Sequence, residues 1–324
     1  MEKVNQSHVM PQFSTRALTF LINNSTLVVF ILMLVIAGIL SDKFYSGDNI
    51  TNVLRQSVPL GLAALGMLFV ILTGGIDLSV GSVMAFISVA VAIFIPEIGL
   101  WPAVFASLSV AAIIGAGAGV LVTLFNIAPF IATLAMMTIA RGLALIISQG
   151  QPIFIDDVTL VDFGIGYFLG LPMPVYVLLF FALLAQFIYK YTVFGRLTIS
   201  IGSNETATRF AGIKVGWYKF AVYALSGFAC GLAGLLASTR TGVGSPVLSI
   251  GFDLDVIAAV VVGGASLAGG RGNVVNTIVG VMILSIISNL MNLMNISGYN
   301  QQVVKGLIII AAVMLESLKS RQRN

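Results

Sequence analysis

Apolar residues fill most of this chain, in runs long enough to cross a lipid bilayer. A spanning helix needs about 20 such residues, and ten runs come near this length. They are Thr19–Leu40, Val58–Thr73, Leu78–Ile95, Trp101–Phe125, Pro129–Ser148, Val175–Thr192, Phe220–Thr239, Leu254–Ala268, Val274–Met294 and Val303–Ser317. The pattern predicts an all-α polytopic membrane protein of about ten transmembrane helices. Residues 19–317 would form one transmembrane domain between polar tails at 1–18 and 318–324.

Two of the runs, Val58–Thr73 and Leu254–Ala268, are short for a full span, and each borders a Gly-Asp cluster. Short helices at corresponding positions of two halves are typical of transporters built from inverted repeats. Thr73–Phe86 and Ser249–Val262 share a Gly, an apolar or aromatic residue, and Asp-Leu before an apolar run. This match is short, but it predicts an inverted repeat.

Composition supports a membrane location, since 58% of the 324 residues are hydrophobic and 9% are charged. Soluble domains carry about a quarter charged residues. A single cysteine, Cys230, and a single histidine, His8, exclude disulfide frameworks, zinc sites and His-based catalysis within the chain. No Gly-x-Ser-x-Gly or Gly-x4-Gly-Lys-Ser/Thr motif occurs. We therefore expect no enzyme activity, no cofactor, no metal site and no nucleic-acid partner.

Cationic residues predict the orientation. With ten spans and a cytoplasmic N-terminus, eleven of the sixteen Lys and Arg residues fall on the cytoplasmic side. They are Lys3, Arg16, Lys190, Arg196, Arg209, Lys214, Lys219, Arg271, Lys319, Arg321 and Arg323. Such a bias places both termini inside. It also places the polar stretch 195–219 in the cytoplasm, and the loop 149–174, which has three Asp and no Lys or Arg, outside.

The stretch 195–219 is the longest polar segment inside the chain. Asn204 is a good helix N-cap, the residues after it favour helix, and Gly212 is a good stop. We interpret Asn204–Gly212 as a short cytoplasmic helix. Its apolar face is too small for a lipid anchor, so docking into a groove of a partner protein is favoured. The alternative is a cationic loop at the membrane surface.

Candidate pathway residues lie where glycine and carboxylates interrupt the apolar runs. Asp77 and Ser79 follow two glycines, and Asp253 and Asp255 precede the eighth run. Each Asp would either mark a helix break near a permeation path or only cap the next helix. Asn289 and Asn292 are further candidates, because amides at membrane depth bind hydroxyl groups. The alternative is that these amides form hydrogen bonds between helices.

Glycine pairs have a simpler interpretation. Gly115 with Gly119, and Gly227 with Gly231, form small-xxx-small faces that favour packing inside the bundle, with dimerisation as the alternative. The Gly-rich stretch Val260–Asn273 lacks the lysine of a phosphate-binding loop, so we interpret it as a tight cytoplasmic turn.

The sequence resembles a known family in five blocks that occur in the family's order: Val70–Ser82, Pro129–Leu145, Gly202–Val215, Gly251–Gly272 and Tyr299–Gly306. In these blocks it resembles the permease subunits of ABC importers for monosaccharides, the ribose-type group of the branched-chain amino acid and sugar permease family. The blocks cover nearly the whole chain.

The resemblance implies a channel-forming subunit in a bacterial cytoplasmic (inner) membrane. It implies a second, identical permease chain, two ABC ATP-binding subunits that hold ATP-Mg, and a periplasmic or lipid-tethered sugar-binding protein. It also implies that a short cytoplasmic helix couples to the ATPase. Carried onto this chain, the coupling residues are Gly202, Asn204, Glu205, Ala207, Thr208, Arg209, Gly212, Ile213 and Val215. Ser203 and Ala211 depart from the family's common residues, Gly and Ser or Met.

Ribose is the sugar that the resemblance favours, and related small molecules such as galactofuranose, xylose or autoinducer-2 are alternatives. A secondary, ion-coupled sugar transporter is the alternative mechanism. It would need an ion site near the membrane midplane, whereas the best acids, Asp77, Asp253 and Asp255, fall at predicted helix ends.

Overall fold

The computed structural model describes residues 25–321, and within them the chain is predominantly helical. The predicted N-terminal tail, residues 1–18, lies outside the described residues. The helices are α1 Ser25–Leu40, α2 Gly47–Leu72, α3 Val80–Ile98, α4 Leu100–Thr123, α5 Pro129–Ser148, α6 Val158–Ile165, α7 Met173–Tyr191, α8 Val193–Ser203, α9 Glu205–Phe210, α10 Val215–Thr241, α11 Phe252–Val262, α12 Val274–Leu293 and α13 Gly298–Arg321.

Seven of these helices, α2, α3, α4, α5, α7, α10 and α12, are long and apolar enough to cross a membrane. The shorter or less apolar helices α1, α11 and α13 occupy the other three predicted positions. The all-α polytopic fold is therefore confirmed. The inverted repeat stays a prediction, although both of its segments do lie at helix breaks, before α3 and before α11.

Helix α2 is the centre of the bundle, and every residue from Leu60 to Leu72 is buried. The prediction that this span begins at Val58 is wrong, because α2 starts at Gly47. The first turns of α2 are polar, so a search for apolar runs did not include them. Ser46 caps the helix by accepting a hydrogen bond from the backbone N–H of Asn49, which is how such helix starts are usually stabilised.

Small residues allow α10 to pack closely against α4, as the small-xxx-small pattern predicts. A Cβ at Gly115 would lie 2.8 Å from the Cα of Gly227, and a Cβ at Gly119 would lie 3.0 Å from the Cα of Phe220. The glycines let the two backbones touch. The packing interpretation of these pairs within the chain is therefore confirmed.

The predicted outer loop, residues 149–174, is more ordered than the sequence indicated. It contains α6 and three two-residue strands, β1 Ile153–Phe154, β2 Tyr167–Phe168 and β3 Leu171–Pro172. Asp157 caps α6 by accepting from the backbone N–H of Leu160. The loop lies against the end of α10, because β1 pairs antiparallel with β4, Val243–Gly244.

After α10 the chain does not continue as a helix. Residues 242–251, which we call the broken segment, contain β4 and irregular backbone, and α11 follows with only 11 residues. The prediction of a span from Leu254 to Ala268 is wrong in its length, because α11 ends at Val262 and two glycines follow. Gly264, in the left-handed region at φ +86°, helps the chain to turn there.

Candidate functional site

The polar stretch 195–219 forms a compact helical unit at one end of the bundle. The single helix that we predicted is preceded by another, α8, and is itself only six residues long, α9. Asn204 caps α9 by accepting from the backbone N–H of Ala207 at 2.9 Å. Gly212, at φ +81°, ends it in a conformation that other residues rarely adopt. The predicted cap and stop both occur.

The predicted coupling residues divide into two sets by their exposure. Asn204, Ala207, Arg209 and Gly212 are exposed, and Gly202, Glu205 and Ile213 are half-buried, whereas Thr208 and Val215 are buried. Thr208 lies on the covered side of α9, and Val215 is the first residue of α10. Sequence analysis missed Phe210, whose side chain is 87% exposed at the end of α9. An aromatic residue so exposed beside a charged helix is typical of a docking surface.

Glu205 fixes α9 against the start of α10. Its carboxylate accepts from the ammonium of Lys219 at 2.5 Å and from the guanidinium of Arg209 at 2.8 Å. Burial alone would raise the pKa of Glu205, but the two cations more than offset this effect and hold the pKa below its ordinary value. The carboxylate therefore stays ionised at neutral pH and keeps both partners.

Three backbone segments meet at glycines beside α9, in what we call the glycine joint. Gly270 donates its N–H to the carbonyl of Leu72, the last residue of α2, at 3.0 Å. Gly202 of α8 lies so close to both that a Cβ there would overlap the Leu72 oxygen and the Gly270 nitrogen. The joint connects α8 to α2 and to the turn before α12.

Asp77 lies in the break between α2 and α3, and its side chain is buried inside the bundle. One carboxylate oxygen accepts from the backbone N–H of Ser79 at 3.0 Å and from its hydroxyl at 2.6 Å. The other accepts from the hydroxyl of Ser226, in α10, at 2.7 Å. Ser79 directly precedes α3 and makes no side-chain cap bond of its own, so Asp77 supplies a capping bond to the backbone N–H there, as the capping interpretation predicts. The bond to Ser226 gives Asp77 a second role, because it ties the break to α10.

The acids at the second break have cationic neighbours. Asp255 accepts from the ammonium of Lys305, in α13, at 2.6 Å. Asp253 lies in the first turn of α11, within electrostatic reach of Arg141 in α5. All four side chains are half-buried. Ionic groups at this depth face a bundle interior or a water-filled cavity.

The two asparagine candidates form bonds between helices. Asn289 and Asn49 exchange two amide hydrogen bonds, of 3.0 and 2.8 Å, and both are buried. Asn292 accepts from the amide of Gln301 at 2.8 Å. This geometry favours the helix-bonding interpretation that the sequence left open, and a pathway role for either residue stays a prediction.

The structure brings the predicted residues together in two groups and adds partners to each. Asp77 and Ser79 meet Ser226, while Asp253 and Asp255 lie near Arg141 and Lys305. Neither cation is among the eleven that the charge bias places on the cytoplasmic side, and both fall inside predicted spans. Arg141 could have been found, because an arginine inside an apolar run is a functional signal in itself. The bond between Asp77 and Ser226 could not have been found from the sequence, since it joins positions 149 residues apart.

Known proteins resemble this chain over most of its length. The ribose import permease protein RbsC of Haemophilus influenzae is 39% identical over 303 residues, which are 92% of this chain and 94% of that protein. RbsC of Bacillus subtilis is 44% identical over 294 residues, 89% of this chain and 91% of that protein. The L-arabinose transport system permease protein AraH of Escherichia coli is 37% identical over 299 residues, 92% and 91% of the two chains.

No solved structure matches the chain. The sequence profile of one family, described as the permease component of the branched-chain amino acid transport system, matches residues 49–313. That match begins in α2 and includes the Asp77 break, the glycine joint, α9 and the broken segment. By its extent, and by the identity to curated permeases, this chain belongs to the branched-chain amino acid transport system permease family.

Proposed function

We propose that this chain is the channel-forming subunit of an ATP-driven importer for a monosaccharide, with ribose as the favoured sugar. Two copies would form one pathway, a separate ATPase would bind ATP-Mg at the α9 end, and a sugar-binding protein would deliver the substrate at the other end. The 39–44% identity to ribose import permeases supports the sugar class.

The observation that carries the proposal is the way α9 is mounted. Its capped start, its Gly212 stop and its exposed Phe210 present a short rigid helix outward, while the glycine joint ties α8, the helix directly before it, to α2 and to the turn before α12. A force applied to α9 by a closing partner would therefore pass through α8 into the central helix. A loop lying on lipid would need no such joint.

Mechanically, closure of the ATPase pair would draw the two α9 helices together. Because Gly202 allows backbone-to-backbone contact, α8 and α2 would move as one body. Asp77 then bonds the following break to Ser226 of α10, so α3 and α10 would move with α2. The helices would rock around the pathway, and sugar affinity would reside chiefly in the binding protein.

An ion-coupled carrier remains the second candidate because one observation favours it. Asp77 lies deeper than a helix end at the membrane surface: it is bonded to Ser226, within the long helix α10. Buried acids of this kind hold coupling ions in pumps and carriers. Its three hydrogen bonds nevertheless provide a structural explanation of the residue without an ion.

Uptake in vesicles tests the two candidates against each other. We reconstitute the purified permease with its ATPase and binding protein in vesicles. We expect radiolabelled ribose to accumulate only when ATP is present on the side of the membrane where the ATPase is bound. Proton and sodium gradients alone should give no uptake. Accumulation driven by an ion gradient without the ATPase would contradict the proposal.

Replacing Phe210 with alanine tests the docking surface. Truncating an exposed aromatic anchor of an interface typically costs more than 2 kcal/mol, so we expect about 30-fold weaker binding of the ATPase or more. Folding of the permease should be unaffected, because the side chain is 87% exposed. The measurement is the affinity of the purified ATPase for the permease in nanodiscs.

The matched control is Phe180→Ala, on the surface of α7, where the side chain is 69% exposed. It removes the same atoms from a different face, and we expect ATPase binding to be unchanged. Equal binding by the Phe210→Ala and wild-type proteins would contradict the assignment of α9 as the docking element.

A further inference from the structure

The broken segment, residues 242–251, lies at membrane depth in a non-helical conformation. Ser245 donates its backbone N–H to the hydroxyl of Ser88 at 3.1 Å. Further along, a Cβ at Gly81 would lie 2.5 Å from the carbonyl oxygen of Ser249. Ser88 and Gly81 both belong to α3, one of the seven helices of spanning length. The segment therefore runs back along α3, within the span.

Arg141 holds the broken segment from the neighbouring helix α5. Its Nη1 donates to the carbonyl of Pro246 at 2.6 Å and to the carbonyl of Leu248 at 2.9 Å. Ser249, the next residue, has φ +60°, which is uncommon for a residue other than glycine. The arginine thus satisfies carbonyls that the missing helix leaves free, next to a residue in a sparsely populated conformation.

The opposite side of the broken segment is uncovered in the described chain. Val247 and Ile250 are 57% and 68% exposed, and Leu254, at the start of α11, is 50% exposed. Irregular backbone does not face lipid, because its polar groups need partners that hydrocarbon lacks. It occurs at membrane depth only inside protein or along a water-filled cavity. This rule favours protein or water over lipid as the environment of this face.

Charge distinguishes the two remaining environments. Arg141, Asp253, Asp255 and Lys305 contact or flank the segment and α11, and all four are half-buried. The cores of protein interfaces are depleted in Lys, Asp and Glu, whereas charged groups inside membranes line substrate pathways. Water is the environment that fits both the backbone and the charges.

We propose that the broken segment lines the aqueous passage taken by the sugar, and that Arg141 is the positioning residue that holds it there. This inference rests on the proposed function and adds which residues form the passage. Peptide groups and paired charges exchange hydrogen bonds readily with a neutral, polyhydroxylated molecule. They offer it many weak partners and no deep pocket, as suits a passage that must release its substrate.

Single cysteines in the broken segment test the inference. The native chain is a suitable background, because its only cysteine, Cys230, is completely buried. We expect Val247→Cys and Ile250→Cys, in the complex with the ATPase, to react with a charged, water-soluble maleimide. The reaction should be about tenfold faster or more than at a lipid-facing control, since thiol reactivity requires access of water and ionisation. The control is Leu183→Cys, in α7, where the side chain is 71% exposed.

Two results would overturn the inference. Labelling as slow as at Leu183→Cys would show that the face is dry. Rapid oxidative cross-linking between copies without labelling would show a closed interface between two chains. The experiment is independent of uptake, so loss of the proposed transport function and loss of this inference are distinguishable: the first appears in the vesicle assay, the second in the labelling.

Arg141 itself is tested by a pair of substitutions. Arg141→Ala should lower the maximal rate of sugar uptake and change the labelling rate at Val247→Cys, because the segment loses two of its inward bonds. Arg141→Lys should restore part of both, since an ammonium can still donate to a carbonyl. An Arg141→Ala variant with unaltered uptake and labelling would overturn the positioning role. If this variant fails to fold, the labelling of Val247→Cys and Ile250→Cys with Arg141 in place still tests whether the segment faces water.

Discussion

Substituting alanine for Gly202 should strongly destabilise the permease, although it adds a single methyl group. A Cβ at this position would overlap the carbonyl oxygen of Leu72 and the backbone nitrogen of Gly270. Those two atoms are hydrogen-bonded to each other, at 3.0 Å. Backbone cannot rotate away as a flexible side chain can, so the glycine joint must open. Overpacking usually costs 1–3 kcal/mol, and we expect a loss of unfolding free energy of about 3 kcal/mol here.

The matched control is Gly216→Ala, in the first turn of α10. Its Cβ would meet only the Cβ of Thr123, at 3.7 Å, which is an ordinary contact. Alanine is a better helix former than glycine, so stability should be unchanged or slightly higher. Thermal denaturation of the detergent-solubilised protein, with recovery of the ATPase complex, measures both variants. A Gly202→Ala protein with the wild-type melting temperature would contradict the proposed joint.

Coupling is affected separately from stability. If the Gly202→Ala chain still folds, the added methyl group separates α8 from the end of α2. The ATPase would then bind to α9 but would no longer move the central helix. Hydrolysis without uptake would be the signature of that outcome, and it would support the same joint by a different route.

Local signals in the sequence were sufficient for the elements that depend on a few neighbouring residues. A cap at Asn204 and a stop at Gly212 define α9, because each acts through its own backbone within one helical turn. The long apolar runs likewise predicted the spanning helices. The start of α2 was missed for the opposite reason: its polar first turn, capped by Ser46, extends beyond the apolar stretch that hydropathy detects.

The parts that were missed depend on contacts between distant segments. The broken segment falls between two predicted runs, and its Gly, Ser and Pro residues already indicate a non-helical stretch. They do not indicate that the segment is held by Arg141 and Ser88, far away in the chain. In the same way, the sequence indicates that Asp77 caps a helix, but not that it also binds Ser226. The sequence located both breaks by their glycines and acids, but only the packing shows what each one binds.

Replacing Asp77 with alanine should be the most damaging change in the bundle interior. It removes the only acceptor described for three donors: the N–H and hydroxyl of Ser79 and the hydroxyl of Ser226. A buried donor left unsatisfied costs about 1–3 kcal/mol, so the loss of unfolding free energy should reach about 3 kcal/mol or more. Ser226→Ala removes one donor and keeps the carboxylate, and we expect a loss of about 1 kcal/mol.

Asparagine at position 77 separates the structural role of Asp77 from an ionic one. The amide oxygen can still accept from Ser79, and the amide nitrogen can donate to the hydroxyl of Ser226, which turns to accept. If the carboxylate serves only to hydrogen-bond the α2–α3 break to α10, the Asp77→Asn protein should keep most of the stability and most of the ATP-driven uptake. If its charge held a coupling ion, Asp77→Asn should lose uptake as completely as Asp77→Ala while folding normally. Comparing the melting temperature with the uptake rate of the three variants, Asp77→Ala, Asp77→Asn and Ser226→Ala, therefore distinguishes an ATP-driven importer from an ion-coupled carrier at one residue.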